Sequence, residues 1–207
     1  MKRGTLLVIS GSSGVGKSTV IREVMQQRPD LYFSVSFTTR APRKGEVHGV
    51  NYYFVTKEDF EARIARGEFL EYAEYVGNYY GTSMEVIREH LDKGVDVLLD
   101  IEVQGAAKVR EKLPDAVTLF IIPPSFEELS RRLHARGTDS EEKIAQRLET
   151  ARREAKEIVH YDYVVVNDTV DKAAEEVLAI LTAAACRTER RFHLIEELGP
   201  TVSQTVG

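Results

Sequence analysis

A chain of 207 residues is long enough to bury one substantial core, and 43% hydrophobic with 29% charged residues describes an ordinary globular protein. Its formal net charge of -5 argues against a protein that coats nucleic acid or an anionic membrane through its overall field, so any anion site has to be local. The single cysteine, Cys186, permits no intramolecular disulfide, and no apolar run approaches the roughly 20 residues needed to span a bilayer, which leaves the cytoplasm as the expected compartment.

Thr5 to Ser10, TLLVIS, is a β-branched and aliphatic run that stops at glycine, as a buried parallel strand does. A helix is expected over Lys17 to Arg28, with Val20, Ile21 and Val24 near helical spacing and Pro29 beyond its end. From Ser34 to Gly81 the pattern changes to short aromatic-rich strands, with FLEYAEY and YYGTS placed as an antiparallel hairpin around Gly77-Asn78. Val95 to Asp100, Val117 to Ile122 and Tyr163 to Val166 are three further apolar runs, each followed by a helical pattern, and this alternation means a parallel α/β sheet.

Hydroxyl-x-x-Glu spacings at Thr82 and Glu85, Ser125 and Glu128, and Thr138 and Glu141 mark three helix starts. Between Ser125 and His160 two charged segments join at Arg136-Gly137-Thr138, with many arginines and few large apolar residues, a pattern suited to a mobile flap. The end of the chain, ELGPTVSQTVG, lacks helical spacing and is expected to fray.

Gly11-Ser12-Ser13-Gly14-Val15-Gly16-Lys17-Ser18 fits G-x-x-x-x-G-K-[ST] and sits where that motif must sit, between a strand and a helix. Its glycines let backbone N–H groups turn toward a phosphate, Lys17 can reach the β and γ phosphates, and the Ser18 hydroxyl can bind magnesium. Such a cradle serves GTPases, motor ATPases and small-molecule kinases alike. No N-K-x-D motif is present, and the length leaves little room for the insertions of a motor. A kinase also needs an acceptor site, and SVSFTTRAPRKGEVHGVNYYF, residues 34–54, gathers arginines, hydroxyls and tyrosines as an anion site would.

Within that stretch Thr38, Thr39, Arg40, Arg43, Glu46, Gly49, Tyr52 and Phe54 stand in the spacing T-T-R-x-x-R-x-x-E-x-x-G-x-x-Y-x-F, which resembles the guanylate kinase signature. The resemblance covers nearly the whole chain, including VLLDIEVQG, RGTDSEEKIAQRL and YVVVND. It implies a three-layer P-loop core, an inserted mostly β subdomain for GMP over 34–93 and a small helical lid over 125–159. The core would take 1–33, 94–124 and 160–190, with a flexible tail at 191–207. It also implies ATP and GMP as substrates and a magnesium ion, and leaves dGMP use and self-association open; no nucleic acid or membrane partner is expected.

Residue by residue, the resemblance assigns ATP to residues 11–18 with Thr19, Arg132 and Asn167, and the GMP phosphate to Ser36, Arg40, Arg43, Tyr52 and Tyr80. Glu71, Thr82 and Glu102 match the base-reading positions. A carboxylate such as Glu71 suits guanine because it accepts N1–H and the exocyclic amino group side by side. Asp100 ends its strand as a Walker B acid does and is divided between magnesium and GMP. Lys17, Arg136 and Arg147 are the catalytic residues it implies, Arg132 and Arg136 being i, i+4 neighbours. The alternatives are a kinase-like module that binds phosphorylated peptides, or a P-loop kinase of another phosphorylated acceptor.

Overall fold

The computed structural model describes residues 3–198 apart from 76, 136 and 138. The chain begins with β1 (Leu6–Gly11), α1 (Lys17–Gln27), β2 (Tyr32–Phe33), β3 (Phe37–Thr38), β4 (Tyr53–Phe54) and α2 (Lys57–Ala65). It continues with β5 (Phe69–Tyr75), β6 (Asn78–Ser83), α3 (Met84–Asp92), β7 (Val97–Asp100), α4 (Val103–Lys112) and β8 (Val117–Ile122). Last come α5 (Phe126–Ala135), α6 (Glu141–Glu154), a 3-10 turn (Ala155–His160), β9 (Tyr163–Val166), α7 (Val170–Ala185) and α8 (Thr188–Leu198).

Five parallel strands form the main sheet in the order β2-β7-β1-β8-β9. All six residues of β1 are buried, because helices cover both faces and neither side needs polar residues. Side chains alternate between the faces: Leu7 and Ile9 join Val20, Val24, Val177 and Leu181 from α1 and α7, while Leu6 and Val8 join Ile87, Leu91 and Val109 from α3 and α4. The carboxyl ends of β1, β7, β8 and β9 therefore open on one edge of the sheet, where open α/β folds hold ligands.

A second sheet, ordered β4-β3-β6-β5, pairs β5 with β6 and β3 with β6 antiparallel, and β3 with β4 parallel. Its core is aromatic: Phe60 of α2 stacks on Phe69 at 4.4 Å and on Tyr79 at 5.2 Å.

Several local expectations shift. Residues 57–65 are helical where strands were expected, and Thr56 caps them by accepting from Asp59 N at 3.1 Å. The hairpin pairs Tyr75 with Asn78, so Asn78 belongs to β6 and not to the turn expected at Gly77-Asn78. Ser125 does cap α5, accepting from Glu128 N at 3.1 Å, but α3 starts from Ser83, with Thr82 still in β6. Thr138 lies outside the described residues, and Ser140 caps α6. The flap also differs: Leu129, Leu133, Ile144 and Ala151 are buried in the main core, Leu129 and Leu133 at the i, i+4 spacing that shares one helix face. Finally, the boundary drawn at 191 falls inside α8.

Candidate active site

The glycine-rich loop joins β1 to α1, and its backbone turns through left-handed φ at Gly14 (96°) and Gly16 (90°). Gly14 is required twice over, because a Cβ there would lie 2.7 Å from Leu133 of α5. Gly16 is the N-cap of α1 and offers no side chain, so the helix's first N–H groups stay open to an anion. From outside, Asn167 Nδ2 and Arg132 Nη1 both donate to the Val15 carbonyl, at 2.7 and 3.2 Å. Arg132 further donates to Asn167 O at 3.0 Å and to Glu128 at 2.7 Å. Glu128 is held down to about 2 by its hydrogen bonds with Arg131 and Arg132, so it stays charged and keeps Arg132 aimed.

At the start of α1, Lys17 Nζ lies 2.5 Å from Asp100 Oδ1 at the end of β7. Burial pulls the lysine pKa down, but the carboxylates of Asp100, Glu102 and Glu154 outweigh it, and the net shift is upward. Lys17 is thus a fixed cation. Arg147 of α6 donates to Ser13 Oγ at 2.9 Å and pairs with Asp139 at 3.2 Å, which brings α6 onto the loop. Ser18 is exposed beside Lys17.

Across the cleft, Arg40 is held bidentately by Glu46, at 2.9 and 3.0 Å. Its guanidinium lies 5.4 Å from the Tyr52 ring, and Tyr52 packs edge-on against Tyr80 at 6.0 Å. Glu46 also accepts from the Arg43 backbone N–H at 2.7 Å, curling the loop so that both arginines flank one carboxylate. The Arg43 side chain itself is exposed, and Ser36 sits just before β3, its carbonyl accepting from Tyr53 N at 2.9 Å. Tyr52 is shifted up chiefly by burial and then by Tyr80, with Asp100 and Glu46 adding to the shift against Arg40.

Deeper in the second sheet, Thr82 Oγ1 donates to Glu71 Oε1 at 2.7 Å, with the two residues 0% and 6% exposed. Burial pushes the Glu71 carboxyl up; Thr82, Lys108 and Lys112 act against that shift. Those lysines are tethered to the same hairpin, donating to Tyr72 O at 2.6 Å and to Phe69 O at 3.1 Å. Glu102, the N-cap of α4, makes no side-chain cap hydrogen bond, and its charge is among those that raise Lys17.

The structure therefore brings together the loop, Lys17, Asp100, Arg132, Arg147 and Asn167, and separately Arg40, Tyr52 and Tyr80, and Glu71 with Thr82. Arg136 lies outside the described residues. Four contributors escaped the sequence reading. Glu46 stood in the quoted signature but was not read as a partner of Arg40, and the i, i+3 spacing to Arg43 was its only signal. Lys108 and Lys112 lie on a helix distant in sequence. Glu154, raised by burial and by Glu102 but held back by Ser12 and Lys17, ends α6.

A parallel sheet with a P-loop after its first strand, an arginine-lined second sheet and a helical pair resting on the loop defines a P-loop kinase of phosphorylated small molecules. The guanylate kinase family profile matches residues 3–184, and the chain belongs to that family. It is 56% identical over 191 residues to a guanylate kinase of Streptococcus agalactiae, covering 91% of each chain. With one of Halalkalibacterium halodurans it shares 50% over 200 residues, covering 95% of this chain and 98% of the relative. The crystal structure of guanylate kinase from Anaplasma phagocytophilum superposes with a TM-score of 0.77 at 38% identity, over 96% and 95% of the two chains. Among the described residues no helix is long and apolar enough to cross a membrane.

Proposed function

We infer that the chain transfers the γ-phosphate of ATP to GMP, giving ADP and GDP, by direct in-line displacement. The observation that carries this reading is the P-loop lysine, whose Nζ lies 2.5 Å from Asp100 Oδ1 at the end of β7, in a chain that also sets Arg40, fixed by Glu46 at 2.9 and 3.0 Å, beside Tyr52. The P-loop and Lys17 hold the donor triphosphate; Arg40, Arg43, Tyr52, Tyr80 and Ser36 hold the acceptor phosphate; Glu71, Thr82 and Glu102 read the base. Arg147, already at Ser13, supplies charge to the equatorial oxygens in transit, and Arg136 joins it in that role. Arg132 acts through the Val15 and Asn167 backbone, shaping the loop around ATP.

Magnesium fits as an ion carried by ATP. Ser18 and Asp100 are hard oxygen donors, and no cluster of three metal-binding side chains exists among the described residues, the arrangement expected of an ion that keeps most of its shell in water and phosphate. When bound, it neutralises charge on the β and γ oxygens. The cytoplasm is the compartment that such substrates imply, with residues 34–93 as the GMP-binding part and 125–159 as the lid.

The test is ADP formation from ATP and magnesium with GMP, dGMP, AMP, CMP and UMP as separate acceptors. Selective turnover of GMP is expected, and Arg43→Ala should raise the GMP KM while leaving ATP binding intact. Equal turnover of AMP and GMP, or none with any acceptor, overturns the reading.

A further inference from the structure

We propose that Gly105 is a positioning residue for guanine recognition: it is the vacancy in α4 against which the Glu71 carboxylate is seated. This rests on the reading of Glu71 as the base acceptor. Glycine is among the poorest helix formers, yet Gly105 is buried in the first turn of α4. It has an ordinary helical backbone with no left-handed φ to demand glycine. Its space supplies the reason, because a Cβ at this position would come within 3.0 Å of Glu71 Oε2 and 3.4 Å of its Cδ.

Glu71 has little freedom to yield. Oε1 is tied to the buried Thr82 hydroxyl at 2.7 Å. Lys108 and Lys112, whose charges favour the carboxylate, hold the hairpin to α4 through Tyr72 O and Phe69 O. An added methyl needs the carboxylate to give by a few tenths of an ångström, and turning about its Thr82 contact is the movement that tether leaves it. That rotation misaligns the oxygen pair that must meet N1–H and the 2-amino group together, and a paired contact depends on both oxygens. Substituting Gly105 should therefore damage discrimination by the base while leaving the phosphate sites untouched.

The test compares Gly105→Ala, Glu71→Gln and the double variant, reading KM for GMP, KM for ATP and the preference for GMP over inosine monophosphate, which lacks the 2-amino group. Gly105→Ala is expected to raise the GMP KM about five- to tenfold and to compress the GMP preference, with ATP KM within about twofold, since small misplacements of a positioning group cost such factors. In the Glu71→Gln background the same substitution should add little. An unchanged GMP KM in Gly105→Ala, with Glu71→Gln still impaired, overturns the inference; an unimpaired Glu71→Gln overturns the base-reader assignment instead. If Gly105→Ala folds poorly, Gly105→Ala with Glu71→Ala removes the opposing carboxylate. Recovery of the melting temperature then supports the proposal, and no recovery places the obstacle elsewhere, at Ile101, whose Cδ1 lies 3.4 Å from the same point, and overturns it.

Discussion

Charge placement decides what individual residues do. Lys17 is held cationic by three carboxylates, so Lys17→Met should leave the fold intact and lower kcat by about 10²- to 10³-fold, the scale of losing one preorganised charge donor. Steady-state kinetics with a thermal melt would check both parts. Glu71 behaves in the opposite sense. Its folded pKa is raised above the unfolded value, so the folded chain binds its proton more tightly, and the ionised form costs stability once the pH exceeds the unfolded value. Two outcomes follow: the GMP KM should climb as pH falls through that raised pKa while ATP KM changes less, and Glu71→Gln should melt higher than the parent at pH 8, an advantage that shrinks toward acid. A melting temperature that drops in the variant at pH 8 contradicts this. Lys17, Arg40 and Asp100 were legible in the sequence because motif spacing fixes them locally. Glu154 and the Arg132 contacts were not, since they depend on chain segments that meet only after folding.

Elements succeed or fail by the face they bury. Leu133 is 0% exposed and packs on Gly14, so α5 and the nucleotide loop share one contact. Leu133→Ala should cost about 2–5 kcal/mol, the range for deleting a buried leucine, and should also raise ATP KM by loosening α5 from the loop. Denaturant unfolding and kinetics on one preparation would separate this from a variant that lowers stability alone. The continuous apolar runs of β1 and β8 were readable because parallel strands covered on both faces need no alternation, and β9 carries the same kind of run at the sheet edge although Val164 and Val166 are exposed there. The helix at 57–65 was passed over, although Thr56 with Asp59 three residues on is a start signal, because the aromatic residues around it read as strands. Two-residue β2 is too short to carry any periodicity, and only its pairing with β7 makes it a strand.

At the scale of the molecule, two sheets of different build share one chain. The main sheet is sealed by helices on both faces, while the second rests on a small aromatic cluster of Phe37, Phe60, Phe69 and Tyr79. Amide exchange should therefore be slowest in β1 and β8 and faster in β3 to β6, and saturating GMP should slow it chiefly over residues 34–83. Protection gained mainly in α1 on adding GMP would contradict that distribution. The two side chains that grasp the Val15 carbonyl come from positions 117 and 152 residues further along. A nascent chain released up to residue 124 already contains the full GSSGVGKS sequence but has neither of them. The outer supports of the loop are thus completed only once β9 and Asn167 have been synthesised, although the loop itself is among the first segments made.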